Sequence, residues 1–460
     1  MALHRGLALL VAGAFFMEIL DGTVLAPAAP HIAADLGVAP VDVNVAITAY
    51  VLTLGVLIPV SGWLADRYGA RRVFCAALAV FVLASAACAL APNLTALTAA
   101  RVAQGAGGAM MVPVGRLVVL RTTAKADLVR AIAYLTWPAL LAPVLAPVVG
   151  GVLAEYASWR WIFVINVPLG LAALAVALRI VPGLRADSPP PLDRAGFALT
   201  AVGVAALVVG LEGLGSGFSP ATVIALVVAA AGLALAVRHL LRAERPLVDL
   251  RILRVATYRV TAASGSVYRA VITAIPFLLP LLFQIGFGWS AAQAGAVVIA
   301  LFVGNVAIKP ATTPLMRRFG IRTVLLGSIA VGAACLVAMA FLQPTTPLPL
   351  LVSLLLVSGV ARSTGFTAYN SVAFADVEAG RMSHANTLLS TLQELGAGLG
   401  VAVGALLVRL GHAAGGAVPV ATGAAGPYRV AFVLLAVVLA LPAVSALLLD
   451  RTAGDAVTGR

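Results

Sequence analysis

Long apolar runs separated by short polar connections dominate the chain. An α-helix rises about 1.5 Å per residue, so about 20 apolar residues cross a hydrocarbon core about 30 Å thick. Runs of that length are read at 7–29, 45–64, 73–91, 96–120, 131–154, 161–179, 196–214, 220–238, 261–285, 293–315, 324–342, 350–373, 385–408 and 429–449, which predicts fourteen helices. Most connections are too short for a folded domain, and the runs exceed the strands of a membrane barrel, whose residues would alternate apolar and polar. The predicted fold class is therefore all-α integral membrane.

Composition agrees, with 62% hydrophobic and 10% charged residues, and it changes the meaning of the net charge of +13. In a soluble chain that excess would point to nucleic acid; here the bilayer is the solvent and nucleic acid is not expected. Cytoplasmic loops retain Lys and Arg. With the N-terminus inside, 22 of the 30 basic residues fall in cytoplasmic segments, Arg160, Arg409 and Arg429 lie outside, and Arg101, Arg116, Arg269, Lys309 and Arg362 lie within spans. This asymmetry predicts a multi-pass protein of the cytoplasmic (inner) membrane with both termini cytoplasmic. Arg5 and the apolar stretch after it have the look of a secretory signal, but Glu18 and Asp21 interrupt the stretch and a second span follows, so it is read as a retained helix. Cys75, Cys88 and Cys335 lie in or beside spans without metal-ligand spacing and are read as packing residues; no metal site is expected.

Two composition breaks divide the chain. One runs from Val181 to Arg194 and contains Pro182, Gly183 and Pro189-Pro190-Pro191; the other, Arg242 to Arg259, is basic and contains Pro246. They predict an N-terminal six-helix bundle at 1–181, linkers with inserted helices seven and eight at 182–257, and a C-terminal six-helix bundle at 258–460. The outer parts carry an echo: Asp66-Arg67-Tyr68-Gly69-Ala70-Arg71 has the spacing of Arg317-Arg318-Phe319-Gly320-Ile321-Arg322, 251 residues later. A repeat at the same topological place in each half indicates duplication, which many secondary transporters use to form two bundles around a midplane site.

At these residues the chain resembles the major facilitator superfamily, and within it the fourteen-span drug:proton antiporters. Gly62-Trp63-Leu64-Ala65-Asp66-Arg67-Tyr68-Gly69-Ala70-Arg71-Arg72 is similar to the signature loop between spans two and three, and Arg101-Val102-Ala103-Gln104-Gly105-Ala106-Gly107-Gly108 to the fourth-helix motif. Leu20-Asp21-Gly22-Thr23-Val24, Trp159-Arg160-Trp161-Ile162-Phe163 and Asn166-Val167-Pro168 resemble the fourteen-span branch, nearest its HsrA-like exporters. The chain departs from the family at Ala146-Pro147-Val148-Val149-Gly150-Gly151, where the helix-five motif normally begins with Gly. It departs also at Asn44, where a Trp is common, and at Arg317, where an acid is usual. The resemblance implies two six-helix bundles plus two additional central helices, alternating access, and a loop (Gly62, Asp66, Arg67, Gly69, Arg71, Arg72) that locks one conformation through charge contacts between helix ends.

An ionisable side chain at the bilayer centre costs about 2.5–3.5 kcal/mol. Glu18, Asp21, Arg101, Arg116, Arg269, Lys309, Arg362 and Glu394 lie within spans. Facing lipid they would cost on the order of 20–28 kcal/mol together, so they are expected to face protein or water. They fall on helices one, four, nine, ten, twelve and thirteen and on none of three, six, eleven and fourteen; by resemblance the former set lines the cavity. Glu18 and Asp21, three apart, share a helix face. Two carboxylates that close compete for one proton, so one of them can exchange it near neutral pH. By resemblance Asp21 is the helix-one acid and Arg101 its helix-four counterpart.

The proton-coupling candidates are Asp21, Glu18, Glu394 and Arg101. Glu18, Glu394, Gln104 and Gln393, with the bases Arg269, Lys309 and Arg362, are candidates for the substrate cavity. Arg269 lies 251 residues after Glu18, which places opposite charges at equivalent sites. Gly105, Gly107, Gly108, Gly150-Gly151, Gly396, Gly398 and Gly400 permit close helix approach. Pro138, Pro143 and Pro147 should bend helix five, and Trp63, Trp137, Trp159, Trp161 and Trp289 read as interface anchors.

No phosphate-binding glycine loop with Lys, metal-ligand cluster or nucleophile elbow is present in the sequence. An enzyme and a bound cofactor are not expected, and the energy would come from the proton gradient. The expectation is a monomeric secondary active transporter that exchanges protons for a small amphipathic compound or drug. Two alternatives stand beside it: a transporter of an anionic metabolite or amino acid recognised by Arg269 and Arg362, and a non-transporting membrane sensor.

Overall fold

The computed structural model describes residues 5–38, 40–186, 191–216, 219–413, 423–450 and 452–455. Pro189, Pro190, Arg451 and Arg460 lie outside the described residues, as do the side chains of Trp137, Pro138, Pro143 and Pro147 and the surroundings of Gly151. All regular structure among the described residues is helical. The long helices, in chain order, are α1 (Arg5–Leu36), α2 (Asn44–Tyr68), α3 (Ala70–Ala89), α4 (Leu94–Thr122), α5 (Leu128–Tyr156), α6 (Trp161–Ile180) and α7 (Arg194–Ser216). They continue as α8 (Pro220–Arg242), α9 (Ala256–Gly286), α10 (Ala291–Ala307 and Lys309–Phe319), α11 (Ile321–Ala340), α12 (Leu348–Ala373), α13 (Met382–Ala413) and α14 (Gly426–Leu448). Twelve described helices are long and apolar enough to cross a membrane, and the bent α10 makes up to thirteen. The fifth predicted span falls on α5, a continuous helix with several side chains outside the described set.

Most helices run past the apolar windows that predict them, because a helix ends at its cap and not at its first charge. Asn93 accepts from Ala96 N–H at the start of α4, Ser219 from Thr222 N–H at α8, and Ser290 with Gln293 forms a capping box at α10. α10 breaks at Ile308 by 51°. Pro310 follows the break and Pro314 lies one turn on; each removes a backbone donor and crowds the preceding turn. α9 contains two π-helical turns, Thr261–Gly265 and Leu282–Gly286.

Among the first six helices, α1 packs on α5, α4 lies between α2 and α3, and α3 packs on α6. Among the last six, α9 packs on α13, α12 lies between α10 and α11, and α11 packs on α14. The two sets have corresponding arrangements. They meet where α13 touches α2 and α4, and where α5 touches α10 and α12. α7 and α8 pack on each other, and α7 reaches α2 and α13.

Backbone geometry repeats the sequence echo. The α2–α3 corner turns on Gly69 (φ 92°, ψ 133°) and the α10–α11 corner on Gly320 (φ 80°, ψ 154°), conformations that side chains resist. Close contacts elsewhere need the absence of a Cβ: one built on Gly150 would lie 2.6 Å from the Val24 carbonyl oxygen, pinning α5 to α1. Gly396 and Gly400 face α9, whereas Gly398 faces Leu211 of α7 at ordinary contact distance, so it is not part of that close seam.

Candidate functional site

The most enclosed acid among the described residues is on α1. Asp21, 1% exposed, pairs through Oδ2 with Arg101 Nη1, and Arg101 is wholly buried. Asp21 Oδ1 accepts from Gln104 Nε2 at 2.9 Å and from Asn166 Nδ2 at 2.8 Å. Gln104 also donates to Ser85 Oγ at 2.8 Å, and its Oε1 accepts from Arg101 Nη1 at 2.7 Å. The guanidinium stacks 4.0 Å from the Tyr50 ring centroid, and Tyr50 OH donates to the Glu18 carbonyl at 3.1 Å. Side chains from α1, α2, α3, α4 and α6 thus converge on one carboxylate. Removing two charges from water costs several kcal/mol per ion, and only full pairing with further hydrogen bonds offsets this; here the acid has those partners.

A second group lies one turn away, between the two sets of six helices. Glu18 (α1), Arg116 (α4), Arg269 (α9) and Glu394 (α13) are within electrostatic range of one another. Among the described residues neither Glu18 nor Glu394 forms an ion pair within 4.0 Å. Glu394, unlike Glu18, is exposed to a water-sized sphere. Arg116 Nη1 donates to Gln393 Oε1 at 3.0 Å, and Gln393 Nε2 to Asn370 Oδ1 at 2.6 Å, so one chain of polar groups crosses from α4 through α13 to α12. Arg269 lies 5.1 Å from the Phe366 ring centroid, and its buried Nε has no hydrogen-bond partner among the described residues.

At the end of the helices that carries most of the basic residues, the two sets touch directly. Asn386 Nδ2 donates to the Pro113 carbonyl at 2.8 Å and Lys125 Nζ to the Ala375 carbonyl at 3.3 Å. A Cβ on Gly62 would collide with the hydroxyls of Thr387 and Ser383, so its absence lets α2 lie against α13. Asp66 Oδ1 pairs with Arg121 Nη2 at 2.9 Å, its carbonyl accepts from Ala186 N–H, and Arg71 donates to the Leu178 carbonyl. Arg67 and Arg72 are exposed. The hydrogen bonds from Asn386, Lys125 and Arg116 between the two sets lie in this basic half or at its inner limit, the Arg116–Gln393 contact.

The sequence-derived candidates therefore divide. Glu18 and Asp21 do not share one environment: about 60° of helix rotation separates residues three apart, enough to send Asp21 toward α4 and α6 and Glu18 toward Glu394. Gln104, expected in a substrate cavity, is wholly buried and committed to Asp21, Ser85 and Arg101. Lys309 is not beside the central acids; it donates to Thr367 Oγ1 at 2.7 Å and lines a separate crevice between α5 and α10. Arg362 is 7% exposed and sits 5.6 Å from the Phe302 ring centroid, with Nε and Nη1 lacking partners among the described residues. Trp159 is not an interface anchor: it is buried, and its indole donates to Asp35 Oδ2 at 3.1 Å, beside the Arg160–Asp35 pair. These hydrogen bonds, from Arg160 first and then Trp159, hold the Asp35 carboxyl below the ordinary carboxylate range. Ser85, Tyr50, Asn166, Arg116 and Asn370 are the residues that the candidate list lacks. Arg116 stands out in the sequence as a charge within a span, whereas Ser85, Tyr50, Asn166 and Asn370 are uncharged polar side chains within apolar helices, a signal too frequent to give them a role.

The family model of the Major Facilitator Superfamily matches residues 11–401 and, in a second match, residues 262–459. A protein of Escherichia coli O6:H1 named "Putative multidrug resistance protein MdtD" is 38% identical over 409 residues, covering 87% of this chain and 85% of that one. The protein of the same name in Cronobacter sakazakii is 39% identical over 410 residues, covering 88% and 86%. Among solved structures, the human organic anion transporter MFSD10 superposes with a TM-score of 0.67 at 15% identity, over 96% of this chain and 99% of that one. The proton:xylose symporter XylE superposes with a TM-score of 0.67 at 12% identity, over 98% and 96%. The repeated backbone corners, the corresponding helix packing and these matches over most of its length together establish that the chain belongs to the major facilitator superfamily of membrane transporters.

Proposed function

We propose that this protein exports small amphipathic compounds, drugs among them, across the cytoplasmic membrane in exchange for protons, by alternating access between two six-helix units at 1–181 and 258–460. The observation that carries this reading is the central group: two acids without ion-pair partners, beside two bases, at the seam between the halves. A proton on Glu18 or Glu394 removes a like-charge repulsion, and arrival of a cationic substrate favours its release. Proton and substrate then compete for one site, which is the minimal requirement for exchange. A charge crossing 100 mV is worth about 2.3 kcal/mol, enough for one or two protons to drive substantial accumulation. The names of the bacterial relatives support drugs as the cargo.

With the basic end cytoplasmic, as the distribution of Lys and Arg favours, the contacts of Gly62, Asn386 and Lys125 close the cytoplasmic side and the conformation faces outward. The Asp66–Arg121 pair then holds that closure. Asp21 and Arg101 join α1, α4 and α6 into one moving part, whose reorientation follows proton exchange at Glu18 and Glu394. ΔpH-driven transport of tetraphenylphosphonium in proteoliposomes tests the reading: the wild type is expected to move it only with an imposed gradient. Transport that ignores the gradient overturns antiport, and coupled transport undiminished in Asp21→Asn removes Asp21 from the coupling.

The unpartnered nitrogens of Arg269 and Arg362 favour a second reading, an anionic substrate. Binding of tetraphenylphosphonium and of an organic anion, compared in wild type and Arg362→Ala, separates the two. Preference for the anion, lost in the variant, would replace the first reading.

A further inference from the structure

Away from the central group, a crevice of about 580 Å³ lies between α5 and the bent half of α10. Its volume is that of a small-molecule site. Arg130 and Tyr134 face it from α5, one helical turn apart; Lys309, Thr313 and Arg317 face it from α10 at the same helical spacing, with Pro310 and Pro314 between them. The 51° break at Ile308 swings this half of α10 relative to the half before it, and the prolines present flat apolar rings instead of flexible chains. Among the described residues three bases and no acid line the space.

The charges are graded along it. Arg130 is the third residue of α5 and Arg317 the third from the end of α10, so both lie at the basic end of the bundle, and both are exposed. Lys309 lies about 12 Å deeper, eight residues at about 1.5 Å each, with its amine turned inward to Thr367. The space is thus cationic at its rim and apolar along its walls. An anionic amphiphile fits such a gradient, since basic pockets between transmembrane helices on the cytoplasmic side suit anionic lipid headgroups.

We propose that this crevice binds an anionic phospholipid of the surrounding leaflet, with the phosphodiester between Arg130 and Arg317 and an acyl chain along Pro310 and Pro314. A free inorganic anion would use the rim and leave the apolar wall empty. Because α10 reaches the first half of the molecule through α5 at this place, an occupant touches both halves. The inference rests on the membrane fold and not on the identity of the transported compound.

Retention of dioleoyl-phosphatidylglycerol and dioleoyl-phosphatidylcholine by the full-length purified protein, measured by native mass spectrometry, tests it. The wild type should prefer phosphatidylglycerol about thirtyfold, the order expected from two basic side chains near a lipid surface. Arg130→Gln with Arg317→Gln should abolish the preference, while Arg245→Gln with Arg251→Gln, which removes the same charge elsewhere, should preserve it. Equal retention of both lipids by the wild type, or a preference that survives the first pair of substitutions, overturns the proposal. Displacement by an equal concentration of inorganic phosphate would assign the rim to free anions and overturn the lipid assignment. Should the glutamine pair fail to accumulate, the wild type decides: the preference must fall as salt rises from about 0.05 to about 0.5 M through screening, and a salt-independent preference contradicts it.

Discussion

Asp21 and Glu18 stand three residues apart on α1 in opposite circumstances. Asp21 is paired with Arg101, accepts from two amides and is sealed beneath five helices. Glu18 has no ion-pair partner among the described residues and has another acid, Glu394, within electrostatic range across the seam between the halves. Burial alone therefore does not mark a working acid. A carboxylate with its hydrogen bonds filled holds helices together, and protonating it means breaking several contacts. One with an unmet need beside a water-accessible wall can exchange a proton without disturbing its neighbours.

Removing each site's base should break this contrast most visibly. Arg101→Ala leaves Asp21 buried and unpaired, a loss of about 3–5 kcal/mol, and should lower the thermal midpoint in detergent strongly. Arg116→Ala, which breaks no ion pair and one hydrogen bond to the half-buried Gln393, should lower it much less; equal losses would show that the two sites do not differ. Next, Glu394→Gln should keep the fold and reduce ΔpH-driven tetraphenylphosphonium transport by about a hundredfold or more, the range ascribed to a positioned proton-transfer group. Gly62→Val places methyl groups against Ser383 and Thr387 and should raise alkylation of a Thr387→Cys reporter severalfold by opening the basic end; unchanged labelling would contradict the closure assigned there.

The smallest effect is expected at the inserted helices. Asp193 accepts from Gly196 N–H and His239 through Oδ1 and from Leu247 N–H through Oδ2, tying the start of α7 to the end of α8. Burial by itself would raise this carboxyl, but the hydrogen bonds together hold it below its ordinary value. Its contribution to stability is thus present above the unfolded carboxylate range and is lost as pH falls through the lowered value. Asp193→Ala should cost about 1 kcal/mol, as loss of a helix cap does, and should flatten the acid limb of the stability profile.

The helix order and the duplication were legible because both follow from one-dimensional signals: apolar length, and a glycine corner repeated at residues 69 and 320. The buried charges were legible for the same reason, since hydrocarbon makes each of them conspicuous. Their grouping was not. Whether an ionised residue joins Asp21 or Glu394 depends on helix rotation and on partners far away in sequence, such as Asn166 and Gln393, which no local spacing announces. The place of Lys309 depends likewise on the break at Ile308, where the second half of α10 turns and lines a crevice with α5.

Proton release on ligand binding, followed near neutral pH in lightly buffered detergent solution with tetraphenylphosphonium as the probe, tests the central claim most directly. The account predicts release by the wild type and by Asp21→Asn, and none by Glu18→Gln combined with Glu394→Gln. Release that persists in the double variant and vanishes in Asp21→Asn would contradict it, and would move proton exchange to the sealed pair.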